Sequence, residues 1–191
     1  MRKIWIILPI IIVIAVIYIF TSFNKKDSVD FKNTNSSDQK IIGQNIMKIE
    51  SEVFENNGEI PVKFTCYGES SFIPLLISEV PASAKSLALI VDDPDAPSGD
   101  FVHWVVWNID PKTSLIKKDD IGGGMEGFTS LKKAGFVSPC PPSGTHRYYF
   151  RLYALDEMLS MSNSSTKIDL LNAMEGHILD SAVLLGLYGK D

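Results

Sequence analysis

The sequence predicts a mainly β fold: an antiparallel β-sandwich with one helix near the C-terminus. Three observations carry this. Short β-branched and aromatic runs recur between Pro, Gly and Asn breaks through most of the chain. Leu87–Val91, Phe101–Ile109 and Tyr148–Leu155 are the clearest of these runs. Only beyond Lys167 does the apolar spacing lengthen to a helical period, through Ile168, Leu171, Met174, Ile178, Ala182 and Leu185. Many strands followed by one helix fit a sandwich with a helical appendage.

From the N-terminus, Ile4 to Phe23 is a 20-residue run without a charged side chain, long enough as a helix to cross about 30 Å of hydrocarbon. No small-x-small cleavage site follows, so residues 1–23 are expected to form a single-pass transmembrane signal-anchor rather than a cleaved signal peptide. Arg2 and Lys3 precede the run and Lys25 and Lys26 follow it, and the domain is expected outside the cytoplasm. Residues 24–40 are rich in Ser, Asn, Asp and Lys and read as a flexible polar tether. The folded domain then spans 41–191, an ordinary single-domain size.

Within that domain Ile46–Phe54 alternates in part, Asn56-Asn57-Gly58 supplies a turn, and Val62–Thr65 and Leu75–Val80 are strand candidates. Gly122-Gly123-Gly124 reads as loop; it lacks the Lys-Ser ending and the helix of a phosphate-binding loop. Thr166 with Asp169 is a capping pair for the late helix. A net charge of −5 and the absence of a basic cluster in the domain argue against nucleic acid as a partner. No cofactor motif is present. Cys66 and Cys140 lack the spacing of a zinc or redox motif, and would pair if the domain is exported.

The chemistry concentrates in two stretches. In the first, Leu87–Val91 and Phe101–Ile109 flank a loop with Asp92, Asp93, Asp95 and Asp100, stiffened by Pro94 and Pro97. Strict alternation would put Phe101, His103, Val105, Trp107 and Ile109 on one face. In the second, Pro139, Pro141 and Pro142 make a stiff loop, Gly144 turns the backbone, and a strand follows. Its inward side would hold His146, Tyr148, Phe150, Leu152 and Ala154; Arg147, Tyr149, Arg151 and Tyr153 would point outward as surface groups. Each histidine thus begins an apolar face beneath a rigid loop. His177 reads as structural, Trp104 and Trp107 as core, and Asp92 and Asp100 as turn formers.

Asp93-Pro94-Asp95-Ala96-Pro97, His103-Trp104 and Pro141-Pro142-Ser143-Gly144-Thr145-His146-Arg147-Tyr148 resemble the two signature regions of the phosphatidylethanolamine-binding protein family, most of all its prokaryotic Raf-kinase-inhibitor-like branch. The resemblance implies a β-sandwich with a small anion pocket for phosphate-type or phospholipid head groups. It implies Asp93, Asp95, His103, Pro141, Pro142, His146 and Tyr148 as ligand-binding residues, and a kinase or protease as a protein partner. The chain departs from the branch pattern at Tyr67, Phe72, Ile73, Val137 and Ser138, where added bulk would narrow the pocket.

Three functions compete for these residues. In a binding module, imidazoles donate to a phosphate-like anion while the acidic loop orients them. In a hydrolase, His and Asp act as base and orienter, but no Ser or Cys lies in a nucleophile-elbow pattern. In a metal site, His103, His146, Asp93 and Asp95 would be the ligands. The binding module is the preferred reading. If both imidazoles must be charged, anion affinity falls as pH rises through roughly 6 to 7.

Overall fold

The computed structural model describes residues 46–190. The signal-anchor expected over 1–23 and the tether over 24–40 lie outside them. Among the described residues no helix is long and apolar enough to cross a membrane.

Among the described residues, nine strands and one helix form three layers. The strands are β1 (Lys48–Glu50), β2 (Gly58–Glu59), β3 (Leu75–Ser78), β4 (Ser86–Asp93), β5 (Phe101–Ile109), β6 (Leu115–Ile116), β7 (Met125–Glu126), β8 (Gly144–Leu155) and β9 (Ile178–Lys190). Helix α1 (Lys167–Met174) lies between β8 and β9 in sequence. The main sheet runs β2-β9-β8-β4-β5-β7 and a smaller sheet runs β1-β3-β6. All main-sheet pairs are antiparallel except the short β2–β9 pair.

Strand β4 explains the layering. Its sequence, Ser-Leu-Ala-Leu-Ile-Val-Asp-Asp, does not alternate, and all eight residues are buried. A strand apolar on both sides needs a cover on both sides. Leu87, Leu89 and Val91 pack towards the small sheet with Phe150, Leu152, Ile49 and Ile77. Ala88 and Ile90 pack the other way, with Trp107 and Leu155 of the same sheet, with Leu159, and with Leu170 and Met174 of the helix. Truncating any one of the larger residues to alanine would cost on the order of 2–5 kcal/mol.

The structure corrects the expected C-terminal half. Helix α1 begins with the anticipated capping box, Thr166 and Asp169 bonding reciprocally. It then ends at Met174, and Gly176 takes a left-handed φ of 82° that reverses the chain. Ile178, Ala182 and Leu185 belong to β9, which pairs with β8 along nearly its whole length, from Gly144↔Lys190 to Leu155↔Ile178. Ile178 and Ala182 are four apart, a spacing that suits a helix and a strand equally; the ladder to β8 decides between them. Val62–Phe64 is a 3-10 turn, not a strand.

The expected faces of β5 are also corrected. Pairing with β4 steps from Val91↔Trp104 to Asp92↔Val102, leaving His103 as an extra residue. A second irregularity follows between Val106 and Ile109, where Asn108 adopts a φ of 59°. Each bulge changes the parity of the strand. As a result Trp104, Val106 and Ile109 face the inter-sheet core, whereas Val105 and Trp107 face the helical layer. The faces of β8 follow the expectation without a shift up to Ala154.

Candidate functional site

The ends of β4, β5 and β8 meet at one edge of the sheet, where the acidic loop and the proline loop rise above them. Between these loops lies a cavity of about 390 Å³. Its polar wall holds Asp93, His103 and His146; Phe101, Val137 and Pro142 are among its apolar groups. Cys66 and Cys140 also line it and form a disulfide, Cα–Cα 5.3 Å, that ties the turn after β2 to the proline loop.

Asp93 is buried and both its oxygens are used. Oδ1 accepts the Asp95 backbone N–H at 2.9 Å, which closes the acidic loop as an Asx-turn. Oδ2 lies 2.7 Å from His146 Nδ1, so the ring donates there. His103 Nδ1 donates to the Val137 carbonyl at 2.8 Å. Each imidazole is therefore anchored through Nδ1, and Nε2 of each has no protein partner among the described residues. Tyr148 lies between the rings, with centroids 5.3 Å from His103 and 6.5 Å from His146. The bulge in β5 is what brings His103 to Tyr148 on the inward side.

The two anchors differ electrostatically. Burial pushes the His103 pKa below its ordinary 6.5, with the Val137 carbonyl and the charge of Asp93 opposing only in part. Its neutral form thus presents an Nε2 lone pair to the cavity. Burial also raises the Tyr148 phenol, helped by the nearby Asp93 charge. That hydroxyl is buried and has no hydrogen-bond partner among the described residues.

Asp95 is placed differently from the expectation. It does not line the cavity; its carboxylate accepts from Arg147 Nε at 2.8 Å and Nη2 at 2.7 Å, and from the Arg147 backbone N–H at 3.0 Å. Arg147 holds the Asp95 carboxyl below the usual range. Pro141 and Tyr148 sit behind the lining, and Tyr67 donates to the Pro141 carbonyl at 2.7 Å. With Asp95 turned outward, no cluster of three or more His, Cys, Asp or Glu is placed to hold a metal among the described residues. His177 lies apart from the cavity, bonded to Asp156.

The family model for phosphatidylethanolamine-binding protein matches residues 50–189. The chain belongs to that family. A "UPF0098 protein" of Methanothermobacter thermautotrophicus is 47% identical over 150 residues, covering 75% of this chain and 99% of the relative. A crystal structure of a phosphatidylethanolamine-binding protein homologue from Chlamydia trachomatis superposes with a TM-score of 0.72 at 42% identity, over 77% of this chain and 99% of that one. E. coli YbcL has the same fold, TM-score 0.69 at 24% identity, over 76% of this chain and 99% of that one.

Of the five departures from the pattern of the prokaryotic branch, Val137 and Ser138 line the cavity. Tyr67 stacks on Tyr188 outside it, Ile73 is core, and Phe72 packs against Trp104 on the far side of the loop. Lys167 is a group that sequence reasoning missed. Its Nζ reaches Asp92 and Asp100 at 2.5 Å each and fastens helix α1 to both ends of the acidic loop. Asp92, buried and also bonded to Arg151, is therefore an ion-pair centre rather than a turn former. Nothing in local sequence links positions 92 and 167.

Proposed function

We propose that this member of the phosphatidylethanolamine-binding protein family is a ligand-binding module that takes a phosphate-type anion, such as a phospholipid head group, between His103 and His146. The observation that carries it is the shared Nδ1 anchoring of the two rings, which leaves both Nε2 atoms for a ligand in one cavity. Protonated rings donate two charge-assisted hydrogen bonds to an anion. Because His103 resists protonation, binding is coupled to proton uptake and favours acid conditions. Neutral rings accept instead, so a ligand bearing its own O–H or N–H can bind at higher pH.

The proposal includes a membrane anchor at residues 1–23, on the strength of their uncharged apolar run. It also places the domain outside the cytoplasm, which the Cys66–Cys140 pairing supports, since disulfides persist in oxidising compartments. Such a module could present its loop rim to a kinase or protease as an inhibitor does. A hydrolytic role draws its support from the Asp93–His146 pair, an orienter and base 2.7 Å apart.

Calorimetric titration of sulfate and phosphoethanolamine tests the reading. Replacing either His103 or His146 by alanine should weaken binding roughly tenfold or more, the worth of a charge-assisted hydrogen bond, whereas His177→Ala should bind as wild type. Equal binding by all four proteins would refute the site. Turnover of simple esters that disappears in His146→Ala would favour the hydrolase.

A further inference from the structure

A second cavity of about 390 Å³ lies on the other side of the Phe136–Ser138 segment. The wall between the two cavities is thin in sequence: His103 and Val137 line one, their neighbours Trp104 and Phe136 the other. Three aromatic rings pack edge to face here. Phe72 and Trp104 stand 5.3 Å apart at 84°, Phe72 and Phe136 5.2 Å at 66°, and Trp104 and Phe136 5.9 Å at 81°. Glu126, on edge strand β7, also lines the space. Its Oε1 accepts the Trp104 indole N–H at 2.6 Å, and Oε2 takes no hydrogen bond from the described residues.

The rim is a tight turn, Lys117 to Asp120, closed by backbone hydrogen bonds of 2.9 and 3.0 Å. Its tip residues Lys118 and Asp119 line the mouth. With Glu126, the lining carries one positive and two negative formal charges, so the cavity is net acidic. Aromatic faces are electron-rich, and walls of several rings with a carboxylate suit a bulky, weakly hydrated cation better than an anion or a neutral hydrocarbon. We propose that this cavity is a binding site for an organic ammonium cation, with Glu126 as counter-ion, the partly exposed Phe72 and Phe136 as aromatic walls, and the buried Trp104 behind them. It uses none of the histidine cavity's residues and stands whether or not that cavity binds anions.

Choline is the probe, titrated by calorimetry, with its neutral isostere 3,3-dimethylbutanol as the comparison. Wild type should bind choline saturably and bind the isostere at least tenfold more weakly, because only the cation gains from the rings and the carboxylate. Glu126→Gln keeps an acceptor for the Trp104 indole and removes the charge; it should weaken choline about tenfold and leave sulfate binding unchanged. Phe136→Leu should weaken choline similarly, and serves if E126Q does not fold. Nuclear Overhauser contacts from the choline methyls to Phe72 and Phe136 ring protons should mark the site in wild type. Absent choline binding, equal affinity for the isostere, wild-type affinity in a folded variant, or competition between choline and sulfate would each overturn the proposal.

Discussion

His146 and His103 face the same cavity from two differently built walls. His146 stands on β8, which is flanked by β4 and β9 for most of its length, and a buried carboxylate backs its ring. His103 stands on a bulge, and a single carbonyl from the loop preceding Cys140 backs it. Burial disfavours charge on the His103 ring, and the Val137 carbonyl and the Asp93 charge oppose that only in part. One wall is thus a sheet with a countercharge, and the other a loop with a dipole. An anion seated in the cavity would favour charging of the His103 ring.

The strongest way to break the loop wall is to remove its covalent tie. A double Cys66→Ser, Cys140→Ser variant opens a loop spanning a sequence separation of 74, and chain-entropy reasoning puts the loss at about 4.5 kcal/mol. Urea unfolding should show that loss, and sulfate binding should weaken beyond it through His103. Preserved stability would mean that the sheet alone holds the loop.

The sheet wall is next. Asp93→Asn leaves the Asx-turn an acceptor but takes the charge from behind His146. It should cost about 2 kcal/mol of stability and reduce sulfate affinity. Wild-type values for both would show that the carboxylate is idle.

Titration by NMR sharpens the contrast. The His103 ring should titrate below 6.5 in the empty protein and shift upward when sulfate binds. The sign follows from linkage: a depressed histidine pKa means the unfolded chain takes the proton first. Its contribution to stability is therefore intact above about pH 6.5 and is lost as pH falls through the folded pKa. His103→Gln should flatten that part of the stability profile. The expected fall of sulfate affinity with rising pH accordingly begins lower than unperturbed histidines would place it. A His103 midpoint at or above 6.5 without anion would contradict this.

Arg147→Ala should have the smallest effect. It frees the half-buried Asp95 carboxylate, whose pKa would return towards 3.8, and should leave sulfate binding as it is. Lost binding would bring Asp95 and Arg147 back to the site.

Much of this was legible in the sequence. The long runs Leu87–Val91, Phe101–Ile109 and Tyr148–Leu155 carried enough β-branched and aromatic residues to mark the central strands, and the loop prolines marked the rim. What stayed hidden depends on pairing. Alternation assumes one residue per step, so the extra residues at His103 and near Asn108 are invisible until β4 lies alongside. Strand β9 was hidden for a related reason, since its apolar spacing fits two periods and only β8 selects one. The Asp95–Arg147 and Asp92–Lys167 pairs join residues 52 and 75 positions apart, which no local pattern reports.

The route of the chain also sets when the cavity can exist. Strand β9, the last element, is inserted between β2 and β8, and its final residues pair with Gly144, Thr145 and His146. The His146 wall therefore lacks its outer neighbour until Tyr188 to Lys190 have been delivered. During synthesis or export the N-terminal elements would wait with one sheet edge unpaired, and contacts of such long sequence separation form slowly. The strand most exposed in that interval is β8, whose inward side is Tyr148, Phe150, Leu152 and Ala154. A nascent chain stalled before Ile178 would present the unpaired backbone edge of β8 to chaperones and to other copies of itself, and would hold no finished cavity.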